Sequence, residues 1–172
     1  MVNTLKRKPE VIICSEAWLL CKIFFINLPE YNIYNNESKI NSANGVITFV
    51  KNNIKSEFAI EDVGKLLTAN LFIELQNRKQ LKITGIYRWH DHKTDEFIVD
   101  FEDFIKSNSN TPVHIVMGDV NLNMMDLNDE SEKYFYNLLE HGYESLINSC
   151  THPRRDLQEG SCLDHIFSKG EF

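Results

Sequence analysis

The stretch TPVHIVMGDVNLN, residues 111–123, decides the fold of this chain. Its apolar run from Val113 to Met117 has the length expected of a strand that is buried on both faces. Gly118 interrupts the run, and Asp119 and Asn121 follow it at once. If the chain stays extended, these two polar side chains lie on the same side of it. The stretch therefore predicts either a strand that ends in a polar site or an ordinary strand-to-turn junction, since Gly, Asp and Asn favour turns.

The rest of the chain predicts a layered α/β protein with many strands and few helices. Phe97, Phe101 and Phe104 recur at helical spacing, and a second helical pattern around Tyr134 ends before Gly142. The other predicted strands are Val11 to Cys14, Lys22 to Asn27, Tyr31 to Tyr34 and Gly45 to Val50, with a hairpin of Leu71 to Leu75 and Leu81 to Tyr87.

Composition and charge limit the function. The chain has 172 residues, of which 42% are hydrophobic, and we expect one domain over residues 1–172. The net charge of −7 argues against strong non-specific binding of nucleic acid. It leaves metal-dependent phosphoryl chemistry open, because carboxylates bind divalent cations. Neither a secretory signal nor an apolar run of about 20 residues is present, so we expect an intracellular protein that does not enter a membrane.

Four segments place polar residues at strand ends or within short apolar runs. They read IICSEAWL (12–19), ITGIYR (83–88), MGDVN (117–121) and SCLDHIF (161–167). In this order they resemble the ETWL, YRPP, GDFN and S-x-IDHIF motifs of the endonuclease/exonuclease/phosphatase superfamily. Within it, the sequence is most similar to the apurinic-type endonuclease domain that accompanies the reverse transcriptase of non-LTR retrotransposons. The resemblance runs from about Pro9 to Lys169.

The resemblance implies a fold and an activity. The fold would be a four-layer α-β-β-α sandwich of two mixed sheets. The activity would be hydrolysis of a phosphodiester bond, in this branch the nicking of duplex DNA, which suggests the nucleus as location. The reaction would use Mg²⁺ or Mn²⁺, and Mg²⁺ takes hard oxygen ligands and needs only one or two carboxylates.

Roles for single residues follow from the resemblance. Glu16 matches the metal-binding glutamate of the superfamily. Asp119 matches the aspartate that orients or deprotonates the attacking water. Asn121 matches the asparagine whose amide holds the phosphate or the water, and Tyr87 the tyrosine that contacts the scissile phosphate. Asp164 matches the aspartate that orients a catalytic histidine.

Two further residues, Arg88 and Ser161, are predicted to contact the substrate, Ser161 near the DNA backbone. The residues alone leave plainer interpretations open. Glu16 could be a surface glutamate that follows a strand, and Tyr87 could be a strand aromatic packed on a neighbour.

The remaining histidines and cysteines are predicted to be structural. His114 alternates within a buried strand and should be a hydrogen-bonded core residue, and His165 should also be structural. The run from His90 to His92 could bind a metal, but it lies in a polar stretch where solvated side chains are expected. Cys14 and Cys162 are expected to pack in the interior.

The sequence departs from the superfamily at both ends. An asparagine-bearing strand should precede the ETWL segment, but no apolar run surrounds Asn3. An SDHxP motif should follow the last strand, so Asp164 would have no histidine to orient. We therefore expect a sandwich that is incomplete at its N- and C-terminal strands, and a nuclease fragment with reduced or lost activity.

Two alternatives remain open at this stage. One is a phosphatase of the same fold that acts on phospholipid or inositol phosphates. The other is a domesticated module that binds DNA or protein without cutting.

Overall fold

The strands and helices follow the hydrophobic pattern closely. The computed structural model describes residues 7–16, 28–36, 45–76, 78–126, 128–153 and 160–171. In chain order its elements are β1 (Val11–Cys14), β2 (Tyr31–Asn35), β3 (Ile47–Lys51), β4 (Ser56–Val63), β5 (Leu66–Glu74), β6 (Gln80–Tyr87), α1 (Thr94–Ser107), β7 (Val113–Asp119), α2 (Asp129–Glu140), β8 (Glu144–Ser145) and β9 (Asp164–Lys169).

The strands form two sheets. The small sheet has the order β1-β3-β2, and both of its pairings are antiparallel. The large sheet has the order β4-β5-β6-β7-β9-β8. Its only parallel pairing within the described residues joins β6 to β7, and the connection between them runs through α1. A parallel pair needs such a crossover, because the chain must return to the same end of the sheet.

Both helices pack on one face of the large sheet. Phe97 and Phe101 of α1 and Tyr134 of α2 are fully buried there, with the Phe101 and Tyr134 ring centroids 4.9 Å apart. They pack against Ile86 and Val116, which project from the same face of β6 and β7. Burial of each large side chain contributes about 1.5–3 kcal/mol, so this cluster fixes α1 and α2 on the sheet.

The opposite face of the large sheet packs against the small sheet. Val50 of β3 packs with Leu71, Leu81 and Val113 of the large sheet, and all four are buried. Gly85 of β6 allows the sheets to approach closely, because a Cβ at that position would lie 2.7 Å from a methyl group of Val46. The two sheets therefore share a core, and side chains at its end can converge from both.

A chain of buried hydrogen bonds runs beneath the helices. The Thr84 hydroxyl donates its proton to Asn70 Oδ1 over 2.7 Å. Because that proton is used, Thr84 Oγ1 must be the acceptor in its 2.8 Å bond with His114 Nε2. His114 Nδ1 then carries the lone pair and accepts from the Tyr143 hydroxyl at 2.6 Å. This assigns the neutral Nε2–H tautomer to His114 and confirms that it is a hydrogen-bonded core residue.

The α/β sandwich is confirmed. Among the described residues the large sheet is mixed, both pairings of the small sheet are antiparallel, and the helices, the large sheet and the small sheet form three layers. The predicted strand Lys22 to Asn27 lies outside the described residues. Strand β4 was not predicted. None of the helices in the described part of the chain is long and apolar enough to cross a membrane.

Candidate active site

Three of the predicted site residues form one row across neighbouring strands. Tyr87 of β6 is in register with Asp119 of β7, which is in register with Asp164 of β9. Side chains in register project from the same face of a sheet. On β7 this face also carries Val113 and Met117, which pack between the sheets. The row therefore faces the small sheet, at the end of the shared core.

The small sheet supplies the fourth residue. Glu16 lies two positions beyond the end of β1, where its φ of 52° turns the chain sharply. The Tyr87 hydroxyl donates a hydrogen bond of 2.8 Å to Glu16 Oε1. A carboxylate from one sheet thus reaches the row on the other, and Glu16, Tyr87, Asp119 and Asp164 are together called the acidic centre below.

Burial and like charges raise the pKa of Asp119. Burial is the larger cause, and the charges of Asp164 and Glu16 add to it, while the Asn121 N–H bonded to the carboxylate opposes it. The pKa of the Tyr87 hydroxyl is raised by burial and by its bond to Glu16. Tyr87 is therefore a neutral hydrogen-bond donor at physiological pH.

The donor set of the acidic centre suits a hard divalent cation. Within the described ranges, no group of three His, Cys, Asp or Glu side chains is arranged to hold a metal ion. Mg²⁺ retains several waters and needs only one or two carboxylates, so Glu16 with its exposed position meets that requirement. A cation there would also offset the repulsion that raises the pKa of Asp119. The chemistry of these residues therefore fits Mg²⁺ or Mn²⁺, and Glu16 would be the protein ligand.

Arg88 has a different environment from the one predicted. Its guanidinium donates from Nε to the Val120 carbonyl at 2.6 Å, from Nη1 to the His92 carbonyl at 2.7 Å and from Nη2 to the Asn121 carbonyl. The residue is only 7% exposed, and its guanidinium carbon lies 5.7 Å from the centre of the Phe97 ring. In place of a substrate contact, Arg88 ties the end of β6 to the loop that follows β7.

The backbone at Asn121 also departs from the extended geometry expected from the sequence. Its φ is 52°, and its N–H donates to Asp119 Oδ1 over 3.0 Å. Its side-chain amide donates to the Arg88 carbonyl at 2.8 Å. Asn121 and Asp119 are therefore not successive side chains of one extended strand; Asn121 orients the Asp119 carboxylate through its backbone.

Gly118 is required by the position of Asp119. Its φ is 154°, and a Cβ built on it would lie 1.8 Å from the Ile86 carbonyl oxygen of the neighbouring strand. No side chain fits in that space without moving β6 or β7. The glycine therefore lets β7 remain paired with β6 up to the residue that carries the carboxylate.

The segment around Ser161 reaches the row through its backbone. Ser161 and His152 form an isolated antiparallel bridge, with N···O distances of 2.9 and 3.1 Å. The neighbouring Thr151 hydroxyl accepts from the N–H groups of Leu163 at 3.1 Å and Asp164 at 3.2 Å. Thr151 thereby fixes the start of β9. This role could not be predicted from the sequence, because a threonine in an irregular loop carries no distinguishing pattern.

The predictions for the other histidines and cysteines are confirmed for some residues and wrong for others. His165 is buried and bonds the Leu122 carbonyl at 3.0 Å, so its structural role is confirmed. His92 was expected to be solvated, but it is 2% exposed and stacks on Trp89 with ring centroids 4.8 Å apart. Cys162 is buried as predicted, whereas Cys14 is exposed.

With its two stacked sheets and its helices on one face of the large sheet, the chain has the fold of endonuclease/exonuclease/phosphatase proteins. It is similar to the endonuclease domain of TRAS1, a telomere-specific non-LTR retrotransposon, with 13% identity, a TM-score of 0.66, and coverage of 93% of this chain and 72% of that one. It is also similar to an endonuclease/exonuclease/phosphatase family protein from Leptotrichia buccalis, with 16% identity, a TM-score of 0.65, and coverage of 94% and 76%.

A phosphatase has a similar structure. The mannosyl-6-phosphatase Bt3783 of Bacteroides thetaiotaomicron is 12% identical, with a TM-score of 0.56 and coverage of 83% of this chain and 64% of that one. No family model and no curated protein matches the sequence. At these identities the likeness establishes the fold, and it confirms the motif resemblance at that level.

Proposed function

We propose that this chain is a divalent-metal-dependent phosphodiester hydrolase that nicks duplex DNA. The proposal rests on one observation: Glu16 from the small sheet meets the row of Tyr87, Asp119 and Asp164 through a hydrogen bond to Tyr87. Four motifs that are far apart in the sequence thereby supply one site. The similarity to a retrotransposon endonuclease domain supports DNA as the substrate.

The chemistry follows from the side chains. Asp119 accepts a proton from the attacking water, and its raised pKa makes it a stronger base than an exposed aspartate. Tyr87, held neutral, donates a hydrogen bond to a phosphate oxygen, where negative charge develops in the transition state. Glu16 would hold the cation, which when bound would supply charge neutralisation at the phosphate. Asp164 lies beside Asp119 and holds the same row in register.

The negative net charge of the chain limits its affinity for DNA. With a net charge of −7, little affinity can come from neutralising phosphates with Lys and Arg. A cation held by Glu16 would offset the repulsion between the acidic centre and the scissile phosphate. We expect weak binding of DNA that requires the divalent cation.

Nicking of a supercoiled plasmid in Mg²⁺ or Mn²⁺ tests the proposal. The wild-type chain should convert the plasmid to the open circle. Asp119→Asn and Glu16→Gln should each lower the rate by about 100-fold or more, because each removes a group that acts in the transition state. Glu57→Gln is the matched control, because Glu57 is an exposed carboxylate on β4. Equal nicking by wild type and Asp119→Asn would overturn the proposal.

A phosphatase of the same fold is the second candidate, favoured by the similarity to the mannosyl-6-phosphatase. The acidic centre could also hydrolyse a phosphomonoester, because the attacking water and the metal play the same parts. Release of inorganic phosphate from mannose 6-phosphate and from inositol phosphates, measured beside plasmid nicking, separates the two. Phosphate release that depends on Asp119, without nicking, would favour the phosphatase.

A further inference from the structure

His152 lies near the acidic centre, although its sequence context does not indicate a functional role. Its backbone forms the bridge with Ser161, just before β9 begins. Its neighbour Thr151 bonds the N–H groups of Leu163 and Asp164. These contacts hold the backbone of His152 beside the residues that lead into β9 and its Asp164.

The imidazole of His152 is exposed and available to a substrate. A positive charge on His152 would act to lower the pKa of Asp119, so the two side chains lie near enough to interact. Arg88 also bears a positive charge near Asp119, but its guanidinium is buried and bonded to three carbonyl groups. His152 is therefore an exposed imidazole near Asp119, and an imidazole is a side chain that can give or take a proton.

The four side chains of the acidic centre are poor proton donors. Glu16, Asp119 and Asp164 accept hydrogen bonds when ionised and have no proton to give. The raised pKa of Tyr87 makes its hydroxyl reluctant to lose a proton. Hydrolysis of a phosphodiester nevertheless releases an alkoxide, which is a strong base and leaves faster when it is protonated as the bond breaks.

We propose that His152 is the general acid that protonates the leaving oxygen of the scissile phosphodiester. This assignment rests on the proposed function. In the step, the water oxygen forms a bond to phosphorus and the bond from phosphorus to the leaving oxygen breaks. The proton of the water passes to Asp119, and the imidazolium of His152 gives its proton to the leaving oxygen. The products are an alcohol and a phosphate monoester, and solvent returns the proton to His152.

A leaving atom that needs no proton tests this assignment. The linkage that the wild-type chain cuts in an end-labelled DNA duplex is mapped first, and its leaving oxygen is then replaced by a bridging sulfur. A thiolate is a much weaker base than an alkoxide and leaves without an acid. His152→Gln should cut the oxygen duplex about 100-fold more slowly than wild type, yet cut the sulfur duplex within about 3-fold of it.

Two further variants separate the possible outcomes. Asp119→Asn should cleave neither the oxygen duplex nor the sulfur duplex, because cleavage of both needs the attacking water. His90→Gln, at an exposed histidine outside the centre, should cleave both as fast as wild type. An equal defect of His152→Gln on both duplexes, or no defect on either while Asp119→Asn is inactive, overturns the general acid and leaves the nuclease standing. A wild-type chain that cuts no duplex overturns the proposed function and this assignment with it.

Discussion

Glu16 and Tyr87 join the two sheets through a hydrogen bond of 2.8 Å at the end of their shared core. Glu16 follows β1, which is an edge strand of the small sheet among the described residues, and Tyr87 ends a central strand of the large sheet. The bond therefore exists only when the sheets are packed in their native orientation. Stability and site geometry are coupled at this point.

This coupling is measurable with a double-mutant cycle. Tyr87→Phe and Glu16→Gln, singly and together, should show an interaction energy of about 1–2 kcal/mol in urea unfolding, as expected for a hydroxyl bonded to a carboxylate. Tyr87→Phe combined with Glu57→Gln should be additive within about 0.5 kcal/mol, because these residues lie on different strands without a shared contact. Additivity in the first cycle would show that the bond does not contribute in solution.

Replacement of Arg88 should destabilise the fold, because Arg88 joins the end of β6 to the loop that follows β7. Arg88→Lys keeps the charge but cannot reach three carbonyl groups at once, so at least one buried acceptor loses its donor. We expect a loss of about 3 kcal/mol in the free energy of unfolding, measured by urea and thermal denaturation. Arg78→Lys, at an exposed position, should change it by less than about 0.5 kcal/mol. An Arg88→Lys protein as stable as wild type would contradict the anchoring role.

The neutral state of His114 predicts sensitivity to acid. Burial lowers its pKa from 6.5 to about 3 in the folded protein. Between these values the unfolded chain binds the proton and the folded chain does not, so stability falls as the pH falls. We expect this residue alone to remove about 2 kcal/mol between about pH 7 and pH 5.

Comparison with His114→Gln isolates this contribution. The variant should be less stable at neutral pH but should lose less stability on acidification than wild type. Urea unfolding at each pH gives both slopes. Parallel pH profiles of the two proteins would mean that His114 is already protonated in the fold.

Two threonines of opposite character test the hydrogen bonds at the start of β9. Thr151→Val removes the hydroxyl that accepts from Leu163 and Asp164, and should cost about 1–3 kcal/mol and slow nicking. Thr48→Val should be neutral or stabilising, since the buried Thr48 hydroxyl has no hydrogen-bond partner among the described residues. Both substitutions have the same shape change, so equal effects would show that packing and not hydrogen bonding governs them.

Alanine at two glycines separates backbone conformation from steric contact. Gly118 and Gly142 both have a positive φ, but nothing lies within 4 Å of a Cβ built on Gly142. Gly142→Ala should cost about 1 kcal/mol, the usual conformational penalty. Gly118→Ala should cost at least about 2 kcal/mol more and reduce nicking, because the new methyl group displaces β6 from β7. Similar losses in thermal unfolding would argue against the close approach.

Much of the site could be predicted because its residues lie at strand ends. A buried strand gives a strong apolar signal, and the polar residue that follows it is easy to notice, as at Glu16 and Asp119. The strand register brings these residues together, because the pairing of β6, β7 and β9 places Tyr87, Asp119 and Asp164 in one row. That register depends on contacts between distant segments and is not visible in any of them alone.

Some features of the structure could not be predicted from the sequence, and each has a physical cause. Strand β4 is half exposed and carries the charged residues Glu57, Glu61 and Asp62, so its apolar signal is weak. Arg88 looks like a substrate contact in sequence, because nothing local reveals that carbonyl groups from a loop some 30 residues away will surround it. Asn121 breaks the expected alternation because it adopts a left-handed backbone conformation, which Asn tolerates better than most residues.

The row on β6, β7 and β9 has a consequence for how the protein comes into being. The acidic centre needs both Glu16 and Asp164, and Asp164 follows Glu16 by 148 positions in the sequence. Residue 164 must therefore have left the ribosome before the carboxylates can meet, so a shorter nascent chain cannot assemble the centre. Any cleavage of nucleic acid in the vicinity of the translating ribosome would have to come from chains whose synthesis has passed this residue.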